Sequence, residues 1–118
     1  MNTSIFGADA DRAYMYEALQ EARKAFEQNE VPIGALVVDA QGIIQSRAYN
    51  QVESMRTQLG HAEVLALQIA AQSRNNWRLD GHWLYVTLEP CAMCLSLARL
   101  SRIAGIVFGA SSPAVPGT

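Results

Sequence analysis

Cysteine, histidine and lysine are all scarce in this chain of 118 residues, which holds two cysteines, two histidines and the single lysine Lys24. Two cysteines cannot build the disulfide framework on which small secreted domains depend. Half of the residues are hydrophobic, yet no apolar run is long enough to span a membrane. The opening segment, Met1-Asn-Thr-Ser-Ile-Phe-Gly-Ala-Asp-Ala10, lacks the basic start and apolar core of a signal peptide. A cytosolic protein with no membrane partner is therefore expected. The formal net charge of −2 argues against broad, nonspecific affinity for nucleic acid, but leaves room for a local basic face. Length and composition fit one domain, residues 1–118, with a core of its own.

The few metal-binding side chains present are not scattered. His61-Ala62-Glu63 is followed downstream by Pro90-Cys91-Ala92-Met93-Cys94. One imidazole and two thiolates suit a zinc ion, and three protein ligands leave the fourth position open for water, the arrangement of a hydrolytic rather than a structural site. No third cysteine exists to close the site, and the other histidine, His82, stands in a turn before a strand. Cys91 and Cys94 open an apolar stretch running to Leu100, whose Ala, Leu and Met content suits a helix. Their spacing then puts both sulfurs on one face, near the positive end of the helix dipole. Pro90 fits the start of that helix, where a missing N–H costs nothing. His61 opens a second helical segment, Ala62 to Ala71. Glu63, two positions on, points about 200° around that helix yet stays within one turn, where a proton shuttle belongs. Taken singly, a histidine at a helix start is more often a cap, and a lone Cys-x-x-Cys is as often redox-active or structural. The conjunction favours catalytic zinc, one ion per chain.

Along the chain, Asp9 or Asp11 is expected to cap a first helix, with Tyr14, Ala18, Leu19, Ala22, Ala25 and Phe26 recurring at helical spacing up to about Gln28. Val31-Pro32 ends it. Ile33 to Val38 and Ile43 to Ala48 read as a hairpin turning at Asp39-Ala-Gln-Gly42. A loop from Asn50 to Gly60, the His61 helix, a connection from Arg74 to Gly81, a strand His82 to Thr87, the Cys helix and a strand Ile106 to Phe108 complete the order. Such an order predicts an α/β fold, a mixed sheet with helices on both faces. Six of the arginines flank these pieces: Arg47 and Arg56 around the Asn50 loop, and Arg74, Arg78, Arg99 and Arg102 at or after the ends of the two metal-bearing helices. Guanidinium groups there suit phosphates or stacked bases, or simply stay solvated.

The pairing of His61-x-Glu63 with Pro90-Cys91-x-x-Cys94 resembles the signature of the cytidine/deoxycytidylate deaminase superfamily. Within it, the segments Glu30 to Val38, Ala48-Tyr-Asn50, His61 to Leu67, Asn76 to Leu79, Leu84 to Cys94 and Ser101-Arg-Ile103 with Val107 to Ala110 are most similar to bacterial tRNA-specific adenosine deaminases. The resemblance implies the three-layer cytidine deaminase-like fold, zinc on His61, Cys91 and Cys94, Glu63 as acid and base, and a homodimer acting on the anticodon loop of a tRNA. It further implies that Asn50 holds the flipped base and that Val31 and Ala62 form pocket wall. Read from the residues alone, Asn50 is equally a turn residue and Val31 and Ala62 equally core. Pro90 and Glu89 stand where the family uses backbone beside the reacting groups, and Glu89 is read as structural.

Two departures from the family accompany the likeness. Arg56-Thr-Gln-Leu-Gly60 replaces the family's usual loop before the metal histidine, and after Ala110 the chain runs Ser111 to Thr118, so the family's C-terminal strand and helix are expected to be missing. The competing readings are a guanine or cytidine-type base or nucleoside deaminase, and a noncatalytic zinc- or RNA-binding fragment. The presence of Glu63 speaks against the last.

Overall fold

The computed structural model describes residues 3–110, which form four strands and four helices. Helix α1 (Ala8–Glu27) leads to strands β1 (Gly34–Val38) and β2 (Ile44–Tyr49). A short helix α2 (Val52–Met55) and a 3₁₀ turn (Gln58–Gly60) precede α3 (Ala62–Arg74), after which β3 (Trp83–Leu88), α4 (Ala92–Leu100) and β4 (Gly105–Ala110) follow. The strand order is β2-β1-β3-β4; β1 runs antiparallel to both neighbours, while β3 and β4 are parallel. The mixed sheet is thus as expected.

Alternation along the strands sends successive side chains to opposite faces. Ala35 and Val37 of β1, Ala48 of β2 and Leu84 and Val86 of β3 pack against Ala62, Ala66, Leu67 and Ala70 of α3 and Ala98 of α4. Leu36, Val38, Tyr85 and Val107 face the other way, onto Ala18 of α1. Helices therefore cover both faces, and every residue of β1 is buried. The contact between α1 and β1 is close enough to demand glycine: a Cβ on Gly34 would lie 2.0 Å from the Ala18 carbonyl oxygen and 2.6 Å from the Ala22 nitrogen.

The expected cap of α1 is not what forms. Gly7 occupies the N-cap, and Asp9 and Asp11 lie inside the first turn. Asp11 is taken instead by tertiary partners, accepting from the Ser4 backbone N–H at 2.8 Å, the Ser4 hydroxyl and the Tyr85 hydroxyl at 2.5 Å. The stretch after Asn50 also differs from a plain loop, since α2 and the 3₁₀ turn lie within it. Both are too short to show in a periodicity. The expected features of residues 111–118 lie outside the described residues.

Register decides where the chemistry sits. Gly34 pairs with Tyr49 and Ala35 with Val86, so the start of β1, the end of β2 and the end of β3 share one end of the sheet. Val31, Asn50 and the Glu89-Pro90-Cys91 segment adjoin those strand ends and are brought together there, although they are far apart in sequence.

Candidate metal centre

Each ligand candidate stands at the start of a helix. His61 is the N-cap residue of α3 and Cys91 that of α4, and neither side chain caps its own helix. Both are left free to face the pocket into which the two positive helix ends point. His61 Nδ1 lies 3.3 Å from Cys94 Sγ and 3.8 Å from Cys91 Sγ. One ligand atom from each of the three residues falls within 4.8 Å of the other two. Among the described residues this is the one such group of histidine, cysteine and carboxylate side chains. His82 does not join it; buried beyond the far end of the sheet, its Nδ1 lies 2.9 Å from the Asp80 carbonyl oxygen.

The electrostatics of the cluster fit a cation. Burial pushes the Cys94 thiol well above its usual range, and the neighbouring Glu63 and Cys91 push it further. Burial likewise raises the Glu63 carboxyl, with its own backbone N–H, the His61 imidazole and Cys94 offsetting part of the effect. Potentially anionic groups are thus crowded together, Glu63 and Cys94 buried and Cys91 at the exposed side. A divalent ion reverses that balance and lets the sulfurs ionise. One imidazole and two thiolates are a zinc donor set, and the group of three leaves a tetrahedral ion one position for water.

Beside the ligands lies a cleft of about 300 Å³, lined by residues that include Glu30, Val31, Asn50, Gln58, His61, Ala62 and Glu63. Glu63 is only 4% exposed, Ala62 is fully buried, and Val31 is exposed. Val31, Asn50, His61, Ala62 and Glu63 thus line one cleft, and Cys91 and Cys94 cluster with His61 at its edge. Asn50 is 5% exposed, and its amide already bridges two backbone groups: Nδ2 donates to the Val31 carbonyl at 3.2 Å, and Oδ1 accepts from the Val52 N–H at 3.3 Å. It joins the segment before β1 to the start of α2.

Five residues of this cleft, Glu30, Ile33, Val52, Glu53 and Gln58, were not singled out as site residues by the sequence, and two of them make telling contacts. Glu30 is buried, and its carboxylate accepts from the Glu53 and Ser54 backbone N–H groups at 2.9 and 2.8 Å. Burial would raise its pKa, but those two amides hold it below the usual value. Gln58 places its side-chain oxygen 3.0 Å from His61 Nε2. Gly60 lets this segment close: a Cβ there would meet the Gln51 carbonyl carbon at 2.7 Å.

Of the six flanking arginines only Arg56 adjoins the cleft, in a hollow it shares with the cleft residues Val52, Glu53 and Gln58. Arg74, Arg99 and Arg102 lie at or just past the C-terminal ends of α3 and α4, the opposite ends of these helices from the ligands. Arg78 and Arg102 stand over the exposed Trp77 ring at 5.4 and 5.6 Å, Arg78 also pairs with Asp80, and Arg47 pairs with Glu17. No helix among the described residues is long and apolar enough to cross a membrane.

Over residues 8–110 the chain matches the family described as the cytidine and deoxycytidylate deaminase zinc-binding region. It is 48% identical over 103 residues to a tRNA-specific adenosine deaminase of Bacillus subtilis (strain 168), an alignment covering 87% of this chain and 63% of the relative. A solved structure from a study of A-to-I editing by tRNA:A34 deaminases at the wobble position of transfer RNA superposes with a TM-score of 0.83 at 39% identity, covering 86% of this chain and 78% of that one. A guanine deaminase from Bacillus subtilis superposes with a TM-score of 0.80 at 28% identity, covering 85% of this chain and 64% of the other.

Proposed function

The chain belongs to the cytidine and deoxycytidylate deaminase family, and from that premise we propose that it is a zinc-dependent hydrolase converting adenosine to inosine at the wobble position of a tRNA anticodon. The observation that supports the reading is the buried Glu63 carboxylate lining the cleft and adjoining His61 and Cys94, two members of the His61, Cys91 and Cys94 cluster. Zinc held by those three side chains makes hydroxide available at neutral pH by lowering the pKa of water to about 7.

The chain's own groups do the rest. Glu63 accepts a proton from the attacking water and passes it to N1 of adenine as hydroxide adds to C6; it then takes the proton of the new C6 hydroxyl and passes it to the amine, the C6–N bond breaks as the C6 carbonyl forms, and adenosine and water become inosine and ammonia. A carboxylate whose pKa burial raises is suited to both directions of transfer. Ala62 and Val31 wall the base, and the Asn50 amide, held between Val31 and Val52, presents the polar edge beside it. The base must leave its stack to reach the zinc, and an anticodon loop is already single-stranded, which makes extrusion cheap.

The chain acts as a cytosolic homodimer in this reading. Exposed Ile69 on α3 and Met93, Leu95 and Leu100 on α4 supply apolar surface for a second copy to bury. A second reading, guanine as a free base, is favoured by the superposition on a guanine deaminase. Incubation of the zinc-loaded chain with anticodon stem-loops carrying adenosine, cytidine or guanosine at the wobble position, and with free guanine, separates the two. Inosine detected by mass in the adenosine stem-loop alone supports the proposal; ammonia released from guanine alone overturns it.

A further inference from the structure

The two ring nitrogens of His61 face different neighbours. Nδ1 looks towards Cys94 Sγ at 3.3 Å and Cys91 Sγ at 3.8 Å, whereas Nε2 lies 3.0 Å from Gln58 Oε1. A neutral imidazole carries one N–H and one lone pair, and the hydrogen bond made at one nitrogen decides which nitrogen is the metal ligand. Nδ1 is the atom facing the sulfurs, so the lone pair is needed there and the proton belongs on Nε2. That N–H needs an acceptor. Gln58 supplies an amide oxygen; with its amide reversed, an NH₂ would meet the Nε2 proton donor to donor.

We infer that Gln58 is a positioning residue for the metal centre, its side-chain carbonyl holding His61 in the Nε2–H tautomer and fixing the ring so that Nδ1 meets the two sulfurs. The inference rests on the reading that His61, Cys91 and Cys94 bind zinc. Gln58 is itself held in place. Thr57 caps the 3₁₀ turn, its hydroxyl accepting from the Leu59 N–H at 3.2 Å, and the Gln51 N–H bonds the Gly60 carbonyl at 2.8 Å. The Gln58 main-chain oxygen also receives the His61 N–H at 3.4 Å, so backbone and side chain address the same residue.

The test is zinc affinity, measured on the purified 118-residue chain by competition with a chromogenic chelator. Gln58→Met keeps the length of the side chain and removes the amide acceptor; Gln58→Glu keeps an acceptor at the same reach. Gln58 is exposed, so both variants are expected to fold, and thermal melting of the chelator-treated chains confirms it. Partners that orient a metal-binding histidine typically change metal affinity about 10–100-fold. Gln58→Met is expected to weaken zinc by that factor, Gln58→Glu to bind at least as tightly as wild type, and nitrogen-15 spectra of the zinc-loaded wild type to place the His61 proton on Nε2. Wild-type affinity in Gln58→Met, equal weakening in Gln58→Glu, or a proton on Nδ1 each overturns the inference. Failure of the wild-type chain to bind one zinc overturns the metal reading beneath it, and shows before any variant is compared.

Discussion

Two buried carboxylates in this molecule have opposite fates. Asp11, between α1 and the sheet, feels burial raising its pKa, yet the Ser4 hydroxyl, the Tyr85 hydroxyl and the Ser4 backbone N–H together hold it below the usual value. Glu63, at the start of α3, is raised because burial outweighs its partners. The first is a charge that the fold satisfies, tying residues near the N-terminus to β3. The second is a charge that the fold leaves uncompensated beside the candidate metal-binding cluster. Burial alone does not mark a functional acid; burial left uncompensated beside reactive groups does.

Paired substitutions sharpen that contrast. Glu63→Ala is expected to lower the deamination rate by about 10²–10⁴-fold, the usual cost of losing a general acid and base, with zinc content measured by atomic emission unchanged. Asp11→Ala is expected to do the reverse. By leaving the buried Tyr85 and Ser4 groups without their acceptor it costs about 1–3 kcal/mol in denaturant unfolding, while zinc content and the rate per folded molecule stay at wild type. A full-rate Glu63→Ala enzyme, or an inactive but stable Asp11→Ala enzyme, breaks the distinction.

Asn50 lies between the two cases, because its amide both adjoins the cleft and holds backbone groups together. Asn50→Ala is expected to reduce kcat/KM on an anticodon stem-loop by an amount equivalent to about 1–3 kcal/mol, more than it lowers unfolding free energy. Equal losses in both measurements would make Asn50 a strut and nothing more. The smallest effect concerns acid. A carboxylate with a depressed folded pKa contributes stability above its unfolded value of about 3.9, and that contribution is lost as pH falls through the folded pKa. Unfolding midpoints taken below about pH 4 should therefore fall less steeply for Asp11→Asn than for wild type.

The sequence made the His61, Cys91 and Cys94 cluster legible because its spacing is local: Cys91 and Cys94 sit at the start of one helix, and His61 and Glu63 at the start of another. The strands were legible within a residue or two because their apolar runs are bounded by turns. Asp11 was misread for an informative reason. An aspartate near a helix start fits a cap on local grounds, but its partners here are Ser4 and a tyrosine 74 positions away. Glu30 and Gln58 escaped notice for the same reason. Helix α2 has no side-chain cap of its own, and its N–H groups are served by a carboxylate from before β1. A helix of four residues leaves no periodicity, and a cap supplied from 23 positions upstream leaves no motif.

Because His61 and Cys91 are the cap residues of α3 and α4, an ion bound between them would staple together the first turns of two helices that begin 30 positions apart in sequence. Metal occupancy then becomes a property of the fold as well as of the reaction. With free zinc at a hundred times its dissociation constant, the native state gains about 2.7 kcal/mol over the unfolded chain. Amide hydrogens in the opening turns of both helices should slow their exchange together when zinc is added, while those at the Trp77 ends of the same helices respond least.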